Sequence, residues 1–151
     1  MLKIKKIFYI LSFLSVILLD QSIKFYVINK FCCNIYFFVN KYLNIIVVLN
    51  KGVVLGLFSK TISSIRTEIY VIFSLIIMCC LFFFLNRTNI NKYLICIIIG
   101  GASSNLIDRI LWTGVIDFID IHFYNYHLPI FNISDLSIIL TYIFLIIKKN
   151  R

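Results

Sequence analysis

Four apolar runs divide the chain, and short polar or basic segments separate them. They predict helices over about 7–26, 69–86, 93–111 and 130–147. A helix needs about 20 apolar residues to cross a hydrocarbon core of about 30 Å. Each run approaches that length if Asp20, Asp108 and Asp135 lie at the membrane boundary. The pattern predicts an all-α integral membrane protein with four transmembrane helices, built as a single domain over residues 1–151.

The segment between the first two runs, about 27–67, is too long for a tight turn. It holds two β-branched stretches, Asn44–Asn50 and Gly52–Phe58, joined through Lys51. Two such stretches around an Asn/Gly turn predict a short β-hairpin. Because its faces are apolar, we expect this extracytoplasmic hairpin to rest on the membrane surface near the acidic residues.

Basic residues at the ends of the runs predict the direction of the helices. They stand before the first run, between the second and third, and after the fourth: Lys3, Lys5, Lys6, Arg87, Lys92, Lys148, Lys149 and Arg151. The positive-inside bias therefore places both termini in the cytoplasm. The net charge of +9 raises the possibility of a nucleic-acid partner. We expect no nucleic-acid partner, because the bases form no stripe or patch.

Composition agrees with a membrane protein, since the chain is 62% hydrophobic and only 14% charged, against about 25% charged in soluble domains.

The few acidic residues nevertheless lie at one level of the predicted helices. At about 1.5 Å per residue, Asp20, Asp108 and Asp135 lie roughly 20–24 Å along their helices from the nearest cytoplasmic lysine. Asp117, on the connection between two of those helices, can reach the same level. Buried carboxylates face a bundle interior or a wet cavity, so a site is predicted at the outer membrane–water boundary.

A pair of carboxylates is the candidate chemistry. Two close carboxylates cannot both ionise readily, so one keeps a proton near neutral pH while the other stays charged. Such a pair can activate a water and protonate a leaving amine. The candidates are Asp117, Asp120 and Asp135, and the residues alone leave the choice between Asp117 and Asp120 open. If this segment is extended, these two face opposite sides, and Asp120 is then expected to be solvated.

Other polar residues near these acids have two interpretations each. Asp20 and Lys24, four apart on a helix, can form a structural ion pair or support a substrate site. Asp108 can be a structural partner or a catalyst, and Arg109 can hold carbonyls or a neighbouring carboxylate.

The histidines and cysteines give no signal of a cofactor. His122 and His127 are interpreted as interfacial polar residues rather than as ligands or bases. The spacing of the cysteines matches no metal site. We therefore expect neither a metal nor another cofactor.

The chain resembles lipoprotein signal peptidase, or signal peptidase II, a family of bacterial intramembrane aspartic proteases. Five segments carry the resemblance in order: DQSIK (Asp20–Lys24), NKGVVLGLF (Asn50–Phe58), GGASSNLIDR (Gly100–Arg109), GVIDF (Gly114–Phe118) and FNISD (Phe131–Asp135). They are similar to the family's Asp…Lys motif, its Asn-x-Gly segment, its Gly-Gly-Ala-x-Gly-Asn-x-x-Asp-Arg box and its two boxes with catalytic aspartates.

The resemblance implies that Asp117 and Asp135 are the catalytic pair. It implies substrate-binding or supporting roles for eight more residues: Asp20, Lys24, Asn50, Gly52, Asn105, Asp108, Arg109 and Asn132. The family removes signal peptides from diacylglyceryl-modified prolipoproteins by cleaving before the lipidated cysteine, without a cofactor. The implied partners are therefore such prolipoproteins and membrane lipid. We expect a monomeric, multi-pass protein of the bacterial inner membrane with its active site near the outer face.

The chain departs from the family pattern at three places. Ser104 stands where the family usually has Gly, and Ser134 where it has Ala. Both place a hydroxyl beside the predicted site. Residues Val53–Leu55 replace small residues and an aromatic, which reshapes the predicted substrate cradle. None of these departures removes a group that the chemistry needs.

Two other classes of function compete with a peptidase. A small ion or proton carrier needs acids spaced along a path through the bilayer, whereas these acids share one depth. A non-enzymatic scaffold needs a fixed cationic partner for Asp117 and for Asp135, yet neither has a basic residue nearby in sequence.

Overall fold

The computed structural model describes residues 2–31, 35–51 and 92–149. It also describes eight residues from 68 to 83, which are all helical. The elements are α1 (Leu2–Lys30), β1 (Phe37–Asn40), β2 (Leu43–Asn50), α2 (Lys92–Trp112), β3 (Val115–Phe123), β4 (Tyr126–His127) and α3 (Ile133–Lys149). Most of the predicted second helix, 69–86, lies outside the described residues, as does the predicted strand 52–58.

The described helices expose apolar side chains and bury polar ones. Exposed apolar residues run along α1 and α3, among them Leu18, which is 64% exposed, and Ile139, which is 53% exposed. The largest fully buried side chains in the described part are all polar: Lys24, Asn132, Asp20, Asp108, Asp117, Asp120, Ser104 and Ser134. A soluble protein shows the reverse arrangement, whereas a polar interior behind an apolar surface suits a bundle in lipid.

Two of the described helical segments are long and apolar enough to cross a membrane, Lys5–Lys30 and Lys92–Trp112. The third helix, α3, has 17 residues and begins at Ile133, slightly later than the predicted start at about 130. The prediction of four spans is thus supported for two of them by length and composition within the described residues.

Two adjacent glycines allow α2 to pack closely between α1 and α3. A Cβ atom on Gly100 would lie 2.7 Å from the carbonyl oxygen of Phe13 in α1. A Cβ atom on Gly101 would lie 3.0 Å from the carbonyl oxygen of Ser134 in α3. Small residues permit such close approach of membrane helices, and here consecutive positions serve opposite neighbours.

The strands form one antiparallel sheet in the order β1-β2-β3-β4. The predicted strand Asn44–Asn50 lies within β2, which pairs with β1 and with β3. The all-α class is therefore confirmed only in part, because the described chain holds a four-stranded sheet rather than a single hairpin. The β-branched residues of β2 and β3 favour this extended structure.

A β-bulge in β2 decides which way its two asparagines point. The register shifts between Ile45 and Val48, so that β2 contains one more residue than β3 at this place. Asn44 and Asn50 are an even number of residues apart and would otherwise share a face. The extra residue turns them to opposite faces, where Asn44 contacts Asp120 and Asn50 contacts Asp117.

A small apolar cluster attaches the sheet to the helices. Val27 of α1, Val47 of β2, and Ile116 and Phe118 of β3 are buried together. This contact holds β3 across the polar ends of α1 and α2, which positions Asp117.

Candidate active site

Asp117 lies on β3, Asp135 lies in the first turn of α3, and Asn132 contacts both. Asn132 Nδ2 donates to Asp117 Oδ1 at 2.8 Å, and the Asn132 backbone N–H donates to Asp135 Oδ2 at 3.4 Å. Asn50 Nδ2 donates to Asp117 Oδ2 at 2.9 Å, and Asn105 Nδ2 donates to Asp135 Oδ1 at 2.8 Å. All four carboxylate oxygens therefore accept from amide N–H groups, and the structure brings the two predicted aspartates together.

The start of α3 orients Asp135. Asn132 is the N-cap, since its Oδ1 accepts the backbone N–H of Asp135 at 2.9 Å while the Asp135 carboxylate accepts the Asn132 N–H. This is the reciprocal pattern of a capping box. Phe131 instead pairs with Ile119 of β3, so the helix cannot begin earlier. The positive end of the helix dipole favours negative charge on Asp135.

Burial raises the pKa of Asp117 from its ordinary value of 3.8 to about 7. The charge of Asp135 raises the pKa further, whereas the hydrogen bonds from Asn50 and Asn132 and the charge of Lys24 oppose the rise. Desolvation disfavours the charged form of a carboxyl group. Asp117 can therefore hold a proton near neutral pH.

A buried Asp-Lys-Asp network lies beside the aspartate pair. Lys24 Nζ lies 2.6 Å from Asp20 Oδ2 and 2.6 Å from Asp108 Oδ2, and it donates to Asn105 Oδ1 at 3.2 Å. These three acceptors match the three N–H bonds of an ammonium group. Because Asn105 also donates to Asp135, the network reaches the pair.

The two acids of this network each hold the backbone next to one aspartate of the pair. Asp20 Oδ1 accepts the N–H of Ser134, the residue before Asp135, at 3.0 Å. Asp108 Oδ2 accepts the N–H of Ile116, the residue before Asp117, at 3.1 Å. The network therefore fixes both chain segments that carry the pair.

Gln21 belongs to this network and was not predicted from the sequence. Its Nε2 donates to Asp108 Oδ1 at 2.8 Å and to Ser104 Oγ at 3.0 Å. Ser104 in turn donates to Asp20 Oδ2 at 2.6 Å, so its hydroxyl both accepts and donates a hydrogen bond. The available signal was three polar residues at 20, 21 and 24 within an apolar helix, since intramembrane polar residues mark functional positions. The Ser134 hydroxyl differs, because it is buried without a hydrogen-bond partner among the described residues.

The remaining predicted residues lie at the margin of the site. Arg109 Nη1 donates to the carbonyl oxygen of Asn105 at 3.2 Å. Gly52 and the departures at Val53–Leu55 lie outside the described residues.

Asp120 is not solvated, which corrects the prediction from the extended pattern. It faces away from Asp117 as predicted, but it is only 1% exposed. His127 Nδ1 lies 2.8 Å from Asp120 Oδ1, and Asn44 Nδ2 donates to Asp120 Oδ2 at 3.0 Å. Burial opposes the charge of Asp120, but the hydrogen bonds from His127 and Asn44 outweigh it and lower its pKa. The side chains of His127 from β4 and Asn44 from β2 therefore contact Asp120 on this face of β3. Asp120, His122 and His127 are also the described residues that could hold a metal ion.

Comparison with known proteins agrees with the resemblance seen in the sequence. The family model described as Signal peptidase (SPase) II matches residues 12–150. The chain is 37% identical over 127 residues to the lipoprotein signal peptidase of Pelagibacter ubique (strain HTCC1062), which covers 83% of this chain and 76% of that protein. It is 35% identical over 141 residues to the lipoprotein signal peptidase of Wigglesworthia glossinidia brevipalpis, which covers 92% of each.

A solved structure agrees as well. It is described as a bacterial membrane enzyme structure by the in meso method at 2.3 Å resolution. The TM-score is 0.80 at 31% identity, over 93% of this chain and 85% of that chain. The fold, the arrangement of the acids and the match over nearly the whole sequence lead to one conclusion: the chain belongs to the signal peptidase II family.

Proposed function

We propose that Asp117 and Asp135 are the catalytic pair of this aspartic peptidase, and that its substrates are prolipoproteins whose cysteine carries a diacylglyceryl group. The main support is the contact of both carboxylates with Asn132, although they come from separate elements. Neither carboxylate forms an ion pair in the described part of the chain. A non-enzymatic scaffold would need such cationic partners.

The two aspartates divide the roles in this proposal, with one holding the proton and the other ionised. Asp117 is buried and holds the proton, because its pKa is raised to about 7. Asp135 then carries the negative charge, which the helix dipole at the N-terminus of α3 and the hydrogen bonds from Asn105 and Asn132 stabilise in part against burial. Such a division is the usual basis for assigning an acid and a base.

The reaction uses both groups in turn. Asp135 takes a proton from a water molecule as that water attacks the scissile carbonyl carbon. Asp117 gives its proton to the carbonyl oxygen, which forms a neutral tetrahedral intermediate. The C–N bond then breaks, Asp135 protonates the leaving amine, and Asp117 recovers a proton from the intermediate.

The membrane arrangement suits a lipid-anchored substrate. The basic residues at the chain ends favour the cytoplasmic side for both termini of a four-span chain. With that topology the aspartate pair lies near the outer face of the inner membrane. A diacylglyceryl group holds the adjacent peptide bond at the membrane boundary, at the depth of the pair. The many exposed apolar side chains of α1 and α3 then face lipid. The proposed state of the protein in the membrane is a monomer.

The test is a processing assay with a lipid-modified precursor. Asp117→Asn and Asp135→Asn should each reduce cleavage by about 10²–10⁴-fold, the usual contribution of a general acid or base. Ser134→Ala is the matched control, because it changes the residue beside Asp135 and removes a hydroxyl without a partner in the described part of the chain. It should cleave normally. Wild-type cleavage by either Asn variant would refute the two-carboxylate mechanism.

A further inference from the structure

We propose that Asp120, His122 and His127 form a binding site for a divalent transition-metal ion such as Zn²⁺. One potential ligand atom from each residue lies within 4.8 Å of the other two. The site lies on the face of β3 opposite to Asp117. It is therefore separate from the aspartate pair.

Backbone pairing holds the three side chains together. Asp120 and His122 are two residues apart on β3, so they share a face. His127 stands directly opposite His122 across the β3–β4 pair, and the two imidazole rings stack with centroids 5.0 Å apart. These are the only two histidines of the chain. The sequence predicts no metal site here, because the contact between the histidines depends on the register of the folded hairpin.

Two distances between the possible ligand atoms lie near those of a zinc site. Nδ1 of His127 lies 2.8 Å from Asp120 Oδ1, and Nδ1 of His122 lies 3.8 Å from Asp120 Oδ2. Ligand bonds of 2.0–2.1 Å in a tetrahedral zinc site place the ligand atoms about 3.3 Å apart. Side-chain rotations can supply the difference.

The donor set selects the class of ion. Two imidazoles and one carboxylate are ligands that zinc uses when a fourth position stays open for water, whereas Mg²⁺ and Ca²⁺ prefer oxygen ligands. The carboxylate offsets part of the charge of the ion.

The surroundings both orient the site and admit the ion. Asn44 Nδ2 donates to Asp120 Oδ2 at 3.0 Å, which resembles the outer-shell hydrogen bonds that orient metal-binding carboxylates. The side chain of His127 is 44% exposed, and that of Asp120 is 1% exposed. An ion can therefore enter beside His127 and bind against a buried carboxylate.

Binding of the metal alone tests the proposal. The full chain, purified without a histidine tag and freed of metal by a chelator, is titrated with ZnCl₂ in detergent by calorimetry. Wild type should bind one ion per chain. His122→Gln and His127→Gln should each weaken binding by about 100-fold or more, because loss of even an outer-shell partner costs about 10–100-fold. Tyr126→Phe changes the residue before His127 in β4 but removes no proposed ligand. This variant should bind zinc as wild type does.

A second measurement needs no substitution. Zn²⁺ should protect both histidines of the wild-type chain from diethyl pyrocarbonate, as read by mass spectrometry. Co²⁺ should give a visible spectrum without the thiolate charge-transfer bands that cysteine ligands would add. Absence of binding, unprotected histidines, thiolate bands or unchanged affinity in the histidine variants would each overturn the site.

Discussion

Asp117→Asn should make the protein more stable at neutral pH while it removes activity. The side chain is 2% exposed, and burial raises its pKa from 3.8 to about 7. The folded protein therefore binds this proton more tightly than the unfolded chain does. The resulting stabilisation is fully present below pH 4 and is lost as the pH rises through about 7.

The pKa shift sets the size of the effect. At 1.36 kcal/mol per pH unit, the rise corresponds to about 4 kcal/mol. Asparagine does not ionise, so the free energy of unfolding of the variant should rise by about 4 kcal/mol relative to wild type between pH 4 and pH 8. Its carbonyl can still accept from Asn132 Nδ2. Its amide faces Asn50 Nδ2 instead of accepting from it, and the loss of that hydrogen bond costs about 1 kcal/mol.

Thermal unfolding in detergent at several pH values measures this difference. The fluorescence of Trp112, the single tryptophan of the chain, can report the transition. A relative stabilisation of about 3 kcal/mol corresponds to a shift of roughly 10 °C in melting temperature for a chain of this size. The difference between the two proteins is the quantity of interest, because other carboxyl groups titrate in both.

Asp120→Asn is the matched control. It also removes a buried carboxylate of β3, but the pKa of Asp120 lies below its ordinary value. This variant should therefore lose stability at neutral pH rather than gain it. If the difference between Asp117→Asn and wild type stays constant from pH 5 to pH 8, burial does not destabilise the Asp117 carboxylate, and its assignment as the proton carrier is wrong.

Four further substitutions test the packing in and near the site by thermal unfolding. Lys24→Met leaves two buried carboxylates without their cation and should cost about 3–5 kcal/mol; a neutral result would contradict a shared ion network. Ser104→Ala removes a hydrogen bond to a buried carboxylate and should cost about 2 kcal/mol, whereas Ser134→Ala removes an unpartnered hydroxyl among the described residues and should stabilise by about 1 kcal/mol. Equal effects of the two serine changes would refute the assigned contacts. Thr113→Gly should stabilise by about 1 kcal/mol, because Thr113 has a φ of 58°, which strains a β-branched residue; a loss of stability would show that the threonine side chain is needed there.

Local signals in the sequence predicted the three described helices α1, α2 and α3 and the family. Apolar runs led to α1, α2 and α3, and the family assigned from five short motifs is confirmed by the match over residues 12–150. Asp20 and Lys24 form the ion pair expected from their spacing. These features depend on residues close together in the chain, where helix geometry relates spacing directly to contact.

The second face of β3 could not be predicted in the same way. Alternation along an extended strand separates Asp117 from Asp120 correctly, but it does not show what covers each side chain. The burial of Asp120 depends on the β2 bulge and on pairing with His127, whose partners are set by strand register. The same is true of Gln21, whose main contacts are with Ser104 and Asp108 of α2.

The sequence by itself determined that this chain has few charged residues among long apolar runs, and that its acids gather toward one end of the predicted helices. Hydropathy and charge are properties of each position, so both can be read along the chain. Only the tertiary structure decided that Asp117 and Asp135 contact one asparagine, and that Asp120 meets two histidines on the opposite face. Those contacts join residues from different elements. They depend on a cap, a bulge and a strand register that form when the helices and the sheet pack together.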